Sequence, residues 1–511
     1  MRFMPRSRGG ALWRFFFAAV IVIGGTAATT AVAGLLQFKQ FAADISLTPP
    51  LPHANVTLPA PGQPQTILIV GSDHRAGEPY KTANTDTMLL VRLNAGSQTI
   101  NVLSVPRDLE VNIPGVGSAK INEAYSVGGT NLLVKVLRQQ VFPGLHVNHI
   151  VDVNFKGFRE MVDAIGCVYT DVDHRYYNVS APGPNDFSSI NIQPGYQKLC
   201  GTLALEFVRF RHTDSDLVRN ARQQDFIRWA KDQYGVDNLF ANRDKLLRIF
   251  GKNAQTDRDL HTTDGLINLF DLVLNSAGHT IKQIKFPAQF LPCDTTGAGG
   301  VPCYVAPTST AAEQGAFRDF MRATHTAPPP KHPTFGHRAH HAKGTPPGLT
   351  ADTTDGKAQA AALHSAHMPV YYPRLITSAF GSGYYTTVSA NCDDGAEPET
   401  AYAGSYPRAY QIRDQEGRLQ PAYRMTLVLN SLLGEYYGVQ GTTWQHPPIL
   451  GSPSGTKVVG GRKLFLYAQG GSLTNVAWHT PQGVYWISNT LTTNLSNPQM
   501  VAIAASLTRA P

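Results

Sequence analysis

Along the first half of the chain, short runs of apolar, β-branched residues alternate with stretches whose apolar positions recur every three to four residues. "TILIVGSD", closing on Asp73, "TMLLVRL", following Asp86, and "QTINVLSV", ending at Pro106-Arg107-Asp108, each predict a β-strand. The loop "HRAGEPYKTANT" and the turn "NAGS" separate them. Pairing these neighbours as hairpins brings the end of the first, the start of the second and the end of the third to one sheet edge. Asp73, Asp86 and Arg107 then converge. Each carboxylate alone reads as a turn residue. Together, beside an arginine, they suit magnesium, which takes one or two carboxylates plus substrate phosphate oxygens.

A second pattern lies in "LEFVRFRHTDSDLVRNARQQDF", residues 205–226. Strand alternation in "FVRFRH" puts Arg209 and Arg211 on one face and Val208 and Phe210 on the other. A helix capped by Asp216 follows, with Arg219, Arg222, Gln223, Phe226, Ile227 and Ala230 on one stripe. The apolar far end of the stripe faces a core, so its near end leans inward while carrying two arginines and a glutamine. Cations in a first helical turn also oppose the helix dipole. A bound phosphate or pyrophosphate removes the conflict, because guanidinium forks match its oxygens and helix N-termini favour anions. Structural ion pairing with acids is the competing explanation.

Beyond residue 365 the pattern is strand-like: "RKLFLYAQ", "SLTNVAWHT" and "GVYWISNT" lie between Gly and Pro turns, and "NPQMVAIAASLTRA" reads as a closing helix. Residues 324–360, rich in Pro, Gly, His and Thr, cannot build a core and are expected to be a disordered linker whose histidines are solvated.

Composition adds bounds. With 511 residues and 42% apolar content the chain can hold two or three domains. A net charge of +8 suits anionic surroundings such as lipid headgroups, phosphorylated substrates or nucleic acid. The N-terminus narrows this. Arg2, Arg6, Arg8 and Arg14 precede an uncharged apolar run over residues 15–36, long enough to cross a membrane with the short basic tail, 1–14, in the cytoplasm. A cleaved secretory signal ending near Ala31-Val32-Ala33 is the alternative; either way the main domains are exported. Residues 37–65 then form a Pro-rich stalk. Five cysteines fit an oxidising compartment: Cys293 and Cys303 bracket a short loop, Cys167 and Cys200 flank a Pro/Gly-containing insertion, and Cys392 is left over. No spacing reads as a zinc site.

The ordered motifs "ILIVGSDHR", "NTDTMLLVRL", "INVLSVPRDLEVNIPG", "KINEAYSVGG", "VDVNFKGFREMVDAIG", "LALEFVRFRH" and "RNARQQDFIRWAKD" resemble the LytR-CpsA-Psr family of cell-envelope phosphotransferases over about residues 66–232, with sparser similarity to 292. The resemblance implies an α/β fold, a mixed sheet flanked by helices, with a hydrophobic pocket for a polyprenyl chain. It implies transfer of a glycopolymer phosphate from a polyprenyl-pyrophosphate carrier to a peptidoglycan hydroxyl. By motif, Asp73 and Asp86 match magnesium-linked carboxylates (manganese is the alternative ion). Arg107, Arg209, Arg211, Arg219 and Gln223 match residues that hold the pyrophosphate, and Arg75, Lys120 and Arg222 lie in matching segments. The organisation expected is a catalytic domain over 66–292, a disulfide loop and helix over 293–323, the linker, and a β-rich C-terminal domain over 361–511. No "VLNGSG"-like strand opens that last region, whose role the resemblance leaves open.

Three other functions compete. A polyprenyl-pyrophosphate hydrolase would use the same site with water as acceptor. A transcriptional regulator is disfavoured, because about 14 residues before the membrane are too few for a DNA-binding module, and nucleic acid is not an expected partner. An inert wall-binding scaffold has no need of so many site charges.

Overall fold

The computed structural model describes residues 50–51, 56–72, 85–178, 190–210, 215–241, 243–276, 278–291, 304–325, 345–377, 406–430 and 433–511. Residues 1–49, with the expected anchor, lie outside them; no helix among the described residues is long and apolar enough to cross a membrane. Cys293, Cys303 and Cys392 also lie outside. Cys167 and Cys200 form a disulfide.

The three predicted strands form as β1 (Gln65–Ser72), β2 (Thr85–Leu93) and β3 (Thr99–Ser104). β1 and β2 pair antiparallel, as do β2 and β3. Further along the chain come β4 (His149–Asn154), the hairpin strands β5 (Val168–Val172) and β6 (Gly195–Leu199), then β7 (Ala254–Thr256) and β8 (Thr280–Ile284). Six of these make one mixed sheet in the order β7-β4-β1-β2-β3-β8, with β4 parallel to β1 and β8 parallel to β3. The helices are α1 (Ile121–Val136), α2 (Phe155–Ala164), α3 (Gly201–Arg209), α4 (Asp216–Ala241), α5 (Arg243–Asn253), α6 (Thr263–Ser276) and α7 (Thr310–Met321). One face of the sheet packs Leu68, Val70, Leu90 and Leu103 against Leu133, Val134 and Phe320 of α1 and α7. The other buries Ile67, Leu93 and Val151 against Leu266 and Leu272 of α6. Both faces are covered, which is why the central strands read as near-continuous apolar runs.

In place of the expected strand at "FVRFRH", residues 207–209 are the end of helix α3 and Phe210 follows as its cap; Arg211 and His212 lie outside the described residues. Ala204, Phe207 and Val208 recur at helical spacing and are buried beside Val162, Phe226 and Trp229. The alternation of Val208, Arg209 and Phe210 was too short to distinguish a strand from the last helical turn. The cap of α4 also falls one residue earlier than expected: Val218 donates its backbone N–H to Ser215 Oγ at 3.3 Å, and Asp216 is the first helical residue.

The C-terminal region is a seven-stranded antiparallel sheet. Its strands are β9 (Tyr406–Arg413), β10 (Leu419–Asn430), β11 (Glu435–Thr442), β12 (Gly455–Val459), β13 (Arg462–Gln469), β14 (Ser472–Thr480) and β15 (Gly483–Ser488). Part of the expected linker belongs to it. Residues 349–351 pair with 375–377, and helix α8 (Thr354–Ala362) packs on the sheet, with Leu349 and Ala360 entering its core. Disorder is therefore the wrong reading for residues 345–360, where a few apolar positions outweigh the polar average. The closing helix forms as α9 (Asn497–Ser506), begun by a capping box between Ser496 and Gln499.

This sheet packs on the β5–β6 hairpin. Side chains alternate across β5, so Val168 and Val172 face α3 and α4 while Tyr169 and Asp171 face the C-terminal sheet. Tyr169 and Tyr196 join Trp444 and Trp486 in one aromatic cluster. Arg424 of β10 is fully buried in this interface and donates to Asp171 Oδ1 at 2.9 Å. Its guanidinium lies against Gly438, where an added Cβ would come within 2.4 Å of Arg424 Nε, so the position needs a residue without a side chain. Arg424→Ala leaves the Asp171 carboxylate buried without its cation and should destabilise the protein by about 3–5 kcal/mol. Urea unfolding followed by tryptophan fluorescence measures this; a loss under about 1 kcal/mol would mean the pair is solvated.

Candidate functional site

Three elements end at one place. β2 begins at Thr85-Asp86, β3 runs into Arg107, and α3 ends at Arg209. Arg107 Nη1 lies 2.5 Å from Asp86 Oδ1, and Arg209 Nη2 lies 3.3 Å from Asp86 Oδ2. One carboxylate therefore bridges two guanidinium groups that are 102 positions apart in the chain. The Arg209 side chain is 36% exposed, and its guanidinium stacks 3.8 Å above the Phe155 ring, leaving donors turned to solvent. The expected convergence of Asp86 and Arg107 is thus present. Lys120 joins through Asp108, 2.9 Å from its Nζ, and Arg107 Nε lies 3.7 Å from the same carboxylate oxygen. Asp73, Arg75 and Arg211 lie outside the described residues.

Arg219, Arg222 and Gln223 are buried, as their stripe required. Arg222 and Gln223 hold backbone carbonyls. Arg222 Nη1 donates to the carbonyls of Phe207 at 3.1 Å and Phe210 at 2.9 Å, and Gln223 Nε2 donates to Val208 O at 3.0 Å. These carbonyls sit at the carboxyl end of α3, where helical partners run out and the dipole is negative. The two side chains thus cap α3 from α4. Its other end is held by Asp163, whose Oδ1 accepts from the Gly201 N–H at 2.8 Å; a Cβ at Gly201 would lie 2.6 Å from Asp163 Oδ2. Asp163 lies close to Cys167 and Cys200, but both sulfurs are in the disulfide, which removes them as thiolate ligands.

A further layer supports Arg222. The Tyr176 ring lies 4.4 Å below its guanidinium, and the Tyr176 hydroxyl donates to Asp173. His174 Nδ1 is 3.2 Å from Asp173 Oδ2. Burial opposes ionisation of Asp173, but His174, Arg222 and Tyr176 outweigh it and hold the carboxyl below its ordinary range. Burial pushes the Tyr176 phenol well up, so it remains a neutral donor. Sequence reasoning missed Asp108, Phe155, Asp163, Asp173 and Tyr176. Asp108 stands next to Arg107 in a segment already singled out; the others act through contacts that leave no local pattern.

The model of the LytR_cpsA_psr family matches residues 37–315. The chain belongs to this family. Among curated relatives, the polyisoprenyl-teichoic acid–peptidoglycan teichoic acid transferase TagU of Oceanobacillus iheyensis is 33% identical over 236 residues, covering 43% of this chain and 69% of that one. TagT of Bacillus subtilis is 30% identical over 203 residues, covering 39% of this chain and 62% of its own length. The crystal structure of B. subtilis TagV superposes with a TM-score of 0.40 at 22% identity, covering 53% of this chain and all of that one. The family match ends at residue 315, so the C-terminal sheet lies beyond it, while β5 and β6, on which that sheet packs, lie within it.

Because the folded Asp173 carboxyl titrates below its unfolded value, its stabilisation is present above the ordinary pKa and is lost as pH falls through the lowered one. Asp173→Asn should therefore cost about 2 kcal/mol at pH 7, with the gap to wild type closing below about pH 4. Denaturant unfolding of both proteins from pH 7 to pH 3 reads this; a gap independent of pH would contradict it.

Proposed function

We propose that this chain transfers a phosphate-linked glycopolymer from a polyprenyl-pyrophosphate carrier to peptidoglycan. The observation that carries the reading is the Asp86 carboxylate held between Arg107 and Arg209, in a family whose relatives include named teichoic acid transferases. Guanidinium groups at that spacing suit the oxygens of a pyrophosphate, and Phe155 fixes the plane of one of them. Lys120 adds positive charge beside Arg107.

The acceptor hydroxyl oxygen attacks the phosphorus that bears the glycan. The bond from that phosphorus to the bridging oxygen breaks, and polyprenyl phosphate leaves with the electron pair. The hydroxyl proton passes to a carboxylate, Asp86 or Asp73. Arg107 and Arg209 neutralise the charge that builds on the phosphoryl oxygens, the main contribution a protein makes to this class of reaction.

The donor set also fits magnesium: Asp86 offers hard carboxylate oxygens, 17% exposed, each retaining a lone pair beyond its guanidinium contact. Asp86, with Asp73, would hold the ion, which when bound supplies charge neutralisation at the phosphates. Residues 15–36 as an anchor would keep the site on the outer side of the membrane, where both carrier headgroup and wall are found.

Residues 45–511, given a synthetic polyprenyl-pyrophosphate glycan, peptidoglycan oligomers and magnesium, should form the linked product. Arg209→Ala and Asp86→Ala should each lower the rate by about 100-fold or more. Release of polyprenyl phosphate without transfer would indicate a hydrolase, and variants as active as wild type would sink the site assignment.

A further inference from the structure

A stack of buried side chains connects the C-terminal sheet to Arg222, which holds backbone carbonyls at the end of the helix that carries Arg209. Strand alternation in β11 sends Tyr437 toward the core under α9 and Tyr436 toward the neighbouring domain. Tyr436 lays its ring on His174, with centroids 4.2 Å apart and planes 23° apart. His174 packs on Tyr176 at 4.3 Å, and Tyr176 lies under the Arg222 guanidinium. Tyr176 also presents its face or edge to Phe207 at 5.2 Å and to Phe210 at 4.9 Å, the two residues whose carbonyls Arg222 holds. Tyr436, His174, Tyr176 and Arg222 are all at most 5% exposed, so the stack has little room to adjust by moving into solvent.

Three hydrogen bonds to backbone carbonyls fix its flanks. Arg424 Nη2 and Thr426 Oγ1 of β10 both donate to the carbonyl of Asp173, at 3.2 and 3.1 Å. The Leu433 carbonyl, between β10 and β11, accepts from the N–H of Ser215, the residue that caps α4. The C-terminal sheet thus touches the segment carrying His174 and Tyr176 and also the start of the helix carrying Arg222.

We propose that the C-terminal sheet is a positioning element of the transfer site. It acts through Tyr436, His174, Tyr176 and Arg222 on the end of α3 that aims Arg209 at Asp86. A nine-residue helix has little stability of its own, so the direction of its last turn depends on what holds its terminal carbonyls. Arg222 holds them only while its guanidinium plane is itself held, and Tyr176 with His174 behind it does that. Tyr436 touches no substrate in this scheme; it is a positioning residue. The inference rests on the transfer reading only for what Arg209 binds.

The test uses the full chain and two readouts: binding of a synthetic polyprenyl pyrophosphate, and amide exchange over residues 206–210. Tyr436→Ala removes the first ring of the stack and Tyr436→Phe retains it. Leu464→Ala, in the core of the same sheet away from the interface, controls for lost stability. Tyr436→Ala should weaken binding about tenfold and accelerate exchange at the end of α3. Tyr436→Phe should restore binding to within about twofold of wild type, since the ring face rather than the hydroxyl makes the contact. Leu464→Ala should leave both readouts as in wild type. In an Arg209→Ala background, Tyr436→Ala should weaken binding no further, because both changes act on one guanidinium.

Equal effects of Tyr436→Ala and Leu464→Ala, additive losses with Arg209→Ala, or unchanged exchange in Tyr436→Ala would each overturn the proposal. If wild type itself fails to bind the lipid, the transfer reading falls, and the exchange at α3 alone decides whether the sheet positions it.

Discussion

A buried guanidinium at the carboxyl end of a short helix organises the functional half of this protein. Arg222 is fully buried, a position that costs a cation its hydration. What compensates is local: two carbonyls at the negative end of α3, aromatic faces from Tyr176 and Phe207, and the Asp173 carboxylate within range. Because these contacts close the last turn of α3, the next outward-facing side chain, Arg209, has a defined direction. That direction meets Asp86, which Arg107 already holds from the sheet. The exposed charges are positioned by the buried one.

The same logic extends outward. The β5–β6 hairpin presents Val168, Val172 and Leu199 to α3 and α4, and its other face, carrying Tyr169 and Tyr196, to the C-terminal sheet. Asp171, on the outer face, receives Arg424; Asp173, two residues on, receives Tyr176 and His174 and gives its carbonyl to Arg424. A single short segment therefore couples two cores through one buried charge pair and one buried network. Such arrangements are sensitive to the loss of a single member, since every remaining polar group stays desolvated.

Much of this was legible locally. The strands leading to Asp86 and Arg107 are continuous apolar runs joined by turn residues, so their antiparallel pairing and shared edge follow from nearest-neighbour geometry. The inward lean of Arg219, Arg222 and Gln223 follows from sharing a stripe with Phe226. The four-residue alternation around Arg209 misled, because a helix whose buried face is narrow also places an arginine between two apolar residues. The wider window, with Ala204, Phe207 and Val208 at helical spacing, contains the right answer.

The sequence by itself determined the hairpin edge, the buried arginine stripe, the closing helix and the family, since each depends on periodicity or on residues within one segment. Only the tertiary structure decided what the buried arginine faces. An inward guanidinium is satisfied equally by a phosphate or by helix-end carbonyls, and which of these lies opposite depends on how α3 and α4 pack. It also decided that the C-terminal sheet reaches the site through Tyr436 and His174, residues 262 positions apart. Contacts at that separation leave no pattern in either segment, because neither ring needs its partner to fit its own strand.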